Sequence, residues 1–186
     1  VFERLDNRLF ELINQNWVNP IFDSIMPWVA QVKNWYLFYI LLIAFVFYTM
    51  EKYAWRLIIA AYLNMFIVYE LNNLFVKQLF HQIRPCNDKS LIFKIRLLAD
   101  HCPENFGFTS MQSSINFGFV FFLYFANPKI LSNRLLFFIF TFVMAISYSQ
   151  IYIGIHFPKD IIGGALLGTF VSFLLSRFYL SLCKTE

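Results

Sequence analysis

The chain has 186 residues, a length that suggests one domain. Hydrophobic residues make up 59% and charged residues only 14%, against about 25% charged in a soluble domain, so the composition argues against a soluble globular protein. The net charge is +4 and the basic residues are scattered, which leaves no basic stripe for nucleic acid.

In residues 1–30, Phe2, Leu5, Leu9, Leu12 and Ile13 recur at helical spacing among Glu3, Arg4, Asp6, Arg8 and Glu11. That pattern predicts an amphipathic helix at a membrane surface. Pro20 and Pro27 interrupt the rest of this stretch, and Trp17, Trp28 and Trp35 suit interfacial depth. Five apolar segments come next, over residues 35–50, 54–79, 110–126, 135–153 and 161–182. Each lies close to the ~20 residues needed to cross a bilayer. The first is the shortest, and the N-terminal stretch adds a sixth, partial span in the longer count. The expected fold is an all-α integral membrane bundle of five to six transmembrane helices with an amphipathic N-terminal interfacial helix. Residues 1–186 then form one membrane domain. Residues 80–109 form a long polar loop between the second and third spans, and loops of that length in compact proteins carry function or are disordered.

Alternation of the spans puts four places on one membrane face: the end of the second span, the start of the third, the end of the fourth and the start of the fifth. Three polar clusters sit there. Lys77 is followed seven residues later by Arg84-Pro85. Two helical turns separate the cations, which places both on one helix face if the helix continues. They either grip a phosphate or form a basic helix end that snorkels to lipid headgroups. Phe108-Thr109-Ser110-Met111-Gln112-Ser113 opens the third span. Ser110 is either an anion ligand at a helix N-terminus or simply the N-cap. In Ser149-Gln150-Ile151-Tyr152-Ile153-Gly154-Ile155-His156-Phe157-Pro158-Lys159-Asp160, the histidine and aspartate are four apart. Either the carboxylate fixes the imidazole tautomer and prepares a nucleophile, or the pair is a structural contact capping the fifth span.

Taken together, these clusters resemble the three-part motif of the type 2 phosphatidic acid phosphatase superfamily. That motif is Lys, six residues, Arg-Pro; then Pro-Ser-Gly-His; then Ser-Arg, five residues, His, three residues, Asp. The resemblance covers residues 77–160, with small bacterial undecaprenyl-diphosphate phosphatases the nearest kind. It implies a lipid phosphatase in which His156 attacks phosphorus and forms a phosphohistidine. Asp160 would orient that histidine, and Lys77 and Arg84 would hold the phosphate oxygens. Ser110, with the backbone N–H of Met111, would complete the cradle. No metal or other cofactor is implied, and Cys86, Cys102 and Cys183 are too few and too separated for a zinc site.

Two positions depart from the motif. Gln112 stands where the family has the histidine that protonates the leaving oxygen, and Gln150 stands where it has a phosphate-binding arginine. Thr109 and Met111 replace Pro and Gly. General acid catalysis contributes about 10²–10⁴-fold, so its loss favours a substrate with a good leaving group. The expected reaction is hydrolysis of a polyprenyl or other lipid diphosphate. The alternative is a catalytically impaired relative that binds a lipid phosphate or joins a membrane complex. His81 and His101 are candidate substitutes for the missing acid, or ordinary loop histidines.

Lys52, Arg56, Lys129 and Arg134 fall in the short turns opposite the motif face. Positive residues in short loops favour the cytoplasm, so the motif face is expected to point outward from an inner (cytoplasmic) membrane. There Cys86 and Cys102 either form a disulfide that closes the loop, worth about 3 kcal/mol in the chain-entropy picture, or remain thiols.

Overall fold

A computed structural model describes residues 2–89, 91 and 94–183, and among these it contains helices and turns but no strand. The N-terminal helix α1 is Phe2–Glu11, closed by a π-turn over Leu12–Asn16. Helix α2 is Pro20–Ala30. Asn19 starts it from an extended backbone, its side chain accepting from Phe22 N–H while Pro20 takes the first helical position. Helix α3 is Tyr36–Met50 and α4 is Ala54–Glu70, joined by a tight turn over Glu51–Tyr53. A π-segment, Leu71–Val76, carries α4 into the single turn α5, Lys77–Phe80. Helix α6 is Met111–Ala126, α7 is Asn133–Tyr152 and α8 is Pro158–Cys183.

Three stretches are long and apolar enough to cross a membrane: Val32–Phe80, Asn133–Tyr152 and Pro158–Cys183. The first is divided at Glu51–Tyr53, and Met111–Ala126 is a shorter apolar helix. Five apolar helices therefore stand where the sequence has five apolar segments, in an integral membrane bundle. Leu42, Val46, Leu57, Phe117, Phe122, Leu123 and Val143 pack between α3, α4, α6 and α7. Leu37, Leu41, Phe137, Phe138, Leu166 and Phe170 are exposed on the outside. So wide an apolar exterior suits lipid rather than water.

Helices α6 and α8 meet closely enough to need glycine. A Cβ on Gly168 would collide with the Ser114 carbonyl oxygen and lie 2.9 Å from Gly118 N. Polar ties cross this seam and join it to α4 and the π-segment. Ser172 Oγ donates to Gly118 O at 2.7 Å and lies 3.0 Å from Asn64 Oδ1, while Asn72 Nδ2 donates to Ser114 Oγ at 2.8 Å. Asn72, a polar residue inside a span, thus serves helix association next to the candidate site.

The amphipathic α1 is docked rather than loose. Phe2 and Leu5 are exposed, but Asp6 and Phe10 are buried, and the Phe10 ring packs on Phe157 at 5.2 Å. Asn14 Nδ2 donates to the carbonyls of Tyr152 and Arg96 at 2.8 and 2.9 Å. Arg96 pairs with Asp23 at 2.7 Å, and Tyr152 Oη donates to Asp23 at 2.6 Å. Residues 6–23 are thereby fastened to the long loop and to the α7–α8 turn. Gly154 in that turn has φ +88°, and a Cβ there would meet Arg96 O at 2.8 Å. Within the loop, Cys86 and Cys102 are joined in a disulfide with their Cα atoms 5.9 Å apart, the first of the two alternatives left by the sequence.

Candidate functional site

The three motif clusters converge at the end of the bundle where α5 stops, α6 and α8 begin and α7 ends. Lys77 and Arg84 do not reach it along one helix face, as their spacing suggested. Helix α5 ends at Phe80, and His81 turns left-handed at φ 45°. Arg84 has extended backbone, φ −70° and ψ 154°, in keeping with the restriction that Pro85 imposes on the residue before it. The turn at His81 therefore brings the second cation in. Both are buried: Lys77 is 2% and Arg84 4% exposed.

The loop supplies their partners. Lys77 Nζ donates to Phe106 O at 2.9 Å. Arg84 Nε and Nη2 donate to the carbonyl and side-chain oxygens of Asn105 at 2.9 and 2.7 Å. This leaves Nη1 facing His156 Nε2 at 2.8 Å. A guanidinium has no acceptor, so Nε2 must accept. The neutral ring then carries its proton on Nδ1, which lies 3.2 Å from Asp160 Oδ2 and donates to it. Asp160 also accepts from Phe157 N–H at 3.0 Å and from Gln82 Nε2 at 3.3 Å. The carboxylate thus both caps the start of α8 and fixes the imidazole, so the two readings of the pair describe one arrangement. The result is a histidine whose Nε2 lone pair faces a cation, which is the form a nucleophile needs.

Burial pushes the His156 imidazole down to about 4; the bond to Asp160 opposes that shift, and the charges of Arg84 and Lys77 add to it. Burial also lowers the Arg84 guanidinium, to about 10, which leaves it cationic at neutral pH. The folded histidine thus titrates below the ordinary value of about 6.5. As pH falls through that window the unfolded chain takes up the proton first. Stability is fully present above about 6.5 and is lost towards about 4. The expected result is a melting temperature that falls over this range by more in the native protein than in His156→Asn. By linkage the difference at the acid end is on the order of 3 kcal/mol, and a pH series of thermal melts checks it.

Ser110 is fully buried and is the N-cap of α6, its Oγ accepting from Ser113 N–H at 3.4 Å. Its own N–H donates to Asp160 O at 2.9 Å, tying the second cluster to the third. Met111 is the first helical residue and is half-buried. Gln112 and Gln150 do something that the sequence did not foretell. Their Nε2 groups donate to the same acceptor, the Ala30 carbonyl at the end of α2, at 3.3 and 3.1 Å. His81 stacks edge-on to Phe106 at 4.6 Å, and His101 lines a cavity beside Gln150. Asn105, Gln82 and the Ala30 carbonyl were invisible to motif reasoning, because the first two lie at unpatterned loop positions and the third is a backbone atom. Asp6, which accepts from Lys159 N–H at 2.8 Å, likewise steadies the turn of α8 that carries Asp160. No group of three or more His, Cys, Asp or Glu suited to a metal occurs among the described residues.

The sequence profile of the PAP2 superfamily matches residues 33–182, a stretch that holds every one of these motif residues. The lipid A 4'-phosphatase of Porphyromonas gingivalis is 26% identical over 164 residues, 87% of this chain and 68% of that protein. The lipid A 4'-phosphatase of Bacteroides thetaiotaomicron is 26% identical over 130 residues, and the chain spans only 56% of its length. Similarity to an undecaprenyl-diphosphatase of Sulfolobus acidocaldarius, 55% identical, is confined to 29 residues. Among solved structures, Aquifex aeolicus LpxE superposes with a TM-score of 0.64 at 27% identity, over 93% of this chain and 95% of that one.

Proposed function

This chain belongs to the PAP2 superfamily, and we propose that it is a membrane lipid phosphatase working through His156. The observation that carries the reading is the line Arg84 Nη1, His156 Nε2, His156 Nδ1, Asp160, closed at 2.8 and 3.2 Å. Nε2 attacks phosphorus, the bond to the leaving oxygen breaks with its electron pair going to that oxygen, which takes a proton from solvent water because Gln112 cannot supply one, and a phosphohistidine forms. Asp160 holds the proton on Nδ1 and offsets the charge that the ring acquires. Arg84 and Lys77 bind the phosphoryl oxygens and stabilise the added charge of the transition state. The N-terminal turn of α6, with Ser110 and the Met111 N–H, forms the remaining side of the cradle. Water then attacks the phosphohistidine and releases phosphate. Residues 1–186 act as one membrane domain, with the 1–30 segment and the 80–109 loop meeting at the site. The motif face points outward from the inner membrane.

The leading substrate is a phosphate monoester on a lipid A-type glycolipid. The matches to lipid A 4'-phosphatases span most of the chain, whereas the undecaprenyl-diphosphatase match covers only 16% of it. A lipid diphosphate is the second reading, favoured by one observation. Gln112 cannot act as an acid, and a departing phosphate needs protonation less than a departing alcohol does. The noncatalytic alternative gains no support from the relatives, whose names are those of phosphatases. Phosphate release by purified protein from lipid A, undecaprenyl diphosphate and phosphatidic acid separates these readings. Fastest turnover of lipid A is expected. Faster turnover of the diphosphate would replace the leading substrate, and no turnover of any would contradict the phosphatase reading.

A further inference from the structure

Gln112 and Gln150 sit on different helices, α6 and α7, yet both amides converge on the Ala30 carbonyl. Ala30 ends α2, and it lies outside residues 33–182, the stretch that matches the family. Gln150 is 5% exposed, and its backbone carbonyl in turn accepts from the N–H groups of Ile155 and His156 at 3.1 and 3.2 Å. One residue therefore holds both the end of α2 and the backbone of the nucleophile. Beside it lies a cavity of about 160 Å³, lined among others by Ala30, Gln31, Asp100, His101, Gln150 and Ile155. Its described lining has amide, carboxylate, imidazole and apolar groups but no Lys or Arg.

We propose that Gln112 and Gln150 form a shared clamp on Ala30 that holds the end of α2 as a wall of a subsite for the uncharged, hydroxyl-bearing headgroup next to the scissile phosphate. They are positioning residues, and phosphate binding falls to Lys77, Arg84 and Ser110. A cavity walled without cations suits hydroxyl groups and does not suit a second phosphate, which would demand charged donors. This rests on the phosphatase reading above, and it assigns the two substituted motif positions to headgroup selection rather than to simple decay.

The test uses purified protein, lipid A as substrate and inorganic phosphate as competitor. A carbonyl oxygen retains one donor after either Gln112→Met or Gln150→Met and loses both only in the double variant. Each single variant is expected to raise KM about twofold to threefold, and the double variant by more than the product of the two. The inhibition constant of inorganic phosphate should stay unchanged throughout. A rise in that constant parallel to KM, or KM effects that simply multiply, would overturn the clamp. Gln112→His and Gln150→Arg, which restore the family residues, decide the matter if the Met variants do not fold. Weaker use of lipid A without tighter phosphate binding supports the clamp, and higher kcat with tighter phosphate binding contradicts it. If the native protein turns over no substrate, the phosphatase reading fails alone. Melting temperatures of the same single and double variants then decide the clamp, a loss greater than the sum supporting it and an additive loss opposing it.

Discussion

His156→Ala is expected to reduce phosphate release by about 10⁴–10⁶-fold, the range seen when a covalent nucleophile is removed from a unit that acts together. The arrangement leaves no substitute. Nε2 is the ring atom presented to the Arg84 guanidinium, and His81 and His101 lie elsewhere, one against Phe106 and the other along the cavity. Water would have to attack phosphorus directly, with only the cations to help. The variant should still fold, because Asp160 keeps its bonds from Phe157 N–H and Gln82, and Ser110 N–H keeps Asp160 O. Removal of a buried, uncharged imidazole also leaves no unpaired charge except on Arg84, which retains both bonds to Asn105. Unchanged inhibition by inorganic phosphate would confirm that the cradle survives. Residual turnover within about tenfold of the native rate would place the nucleophile elsewhere.

The largest effect on stability is expected from Gly168→Ala. The added methyl group would meet backbone on α6, colliding with Ser114 O and lying 2.9 Å from Gly118 N, so no side chain can swing aside. The helices must separate, which lengthens the Ser172 bond to Gly118 across their seam and disturbs the polar contacts of Asn64 and Asn72 beside it. Overpacking of this kind costs about 1–3 kcal/mol, and the lost polar ties add to it because no water replaces them within a bilayer. A fall of several degrees in melting temperature is expected, with activity falling as well. Ser110 and Asp160 are joined across the same pair of helices two turns away. Leu166→Ala is the matching control. Its side chain is 67% exposed on the outer face of α8, so its loss should change the melting temperature little.

Much of this molecule was legible in the sequence because its signals are local. Apolar runs of about membrane length gave the helices, and the recurrence of Phe2, Leu5 and Leu9 gave α1. Lys77, Arg84, Ser110, His156 and Asp160 could be placed on one face by alternation alone, and the structure brings them together. The helix face expected for Lys77 and Arg84 failed because α5 ends at Phe80 and His81 turns left-handed, which the sequence did not signal, and because Pro85 disfavours helical backbone at Arg84, which it did. The π-segment over Leu71–Val76 left no such mark in the sequence. The two glutamines show the limit most clearly. Compared with the motif, each is a missing side chain; in the fold, both find a carbonyl 82 and 120 residues away in sequence. A backbone acceptor has no residue signature, so motif comparison can register what Gln112 and Gln150 lack but not what they bind.

A covalent step on His156 leaves a phosphoryl group on the imidazole that can be trapped. Protein quenched with alkali during turnover of lipid A labelled in its phosphate should carry an acid-labile phosphoryl group, and peptide mass mapping should place it on His156. The same treatment of His156→Ala should yield none. Phosphate release by the native protein with no label on His156 at any time of quenching, or equal label in the variant, would contradict the account.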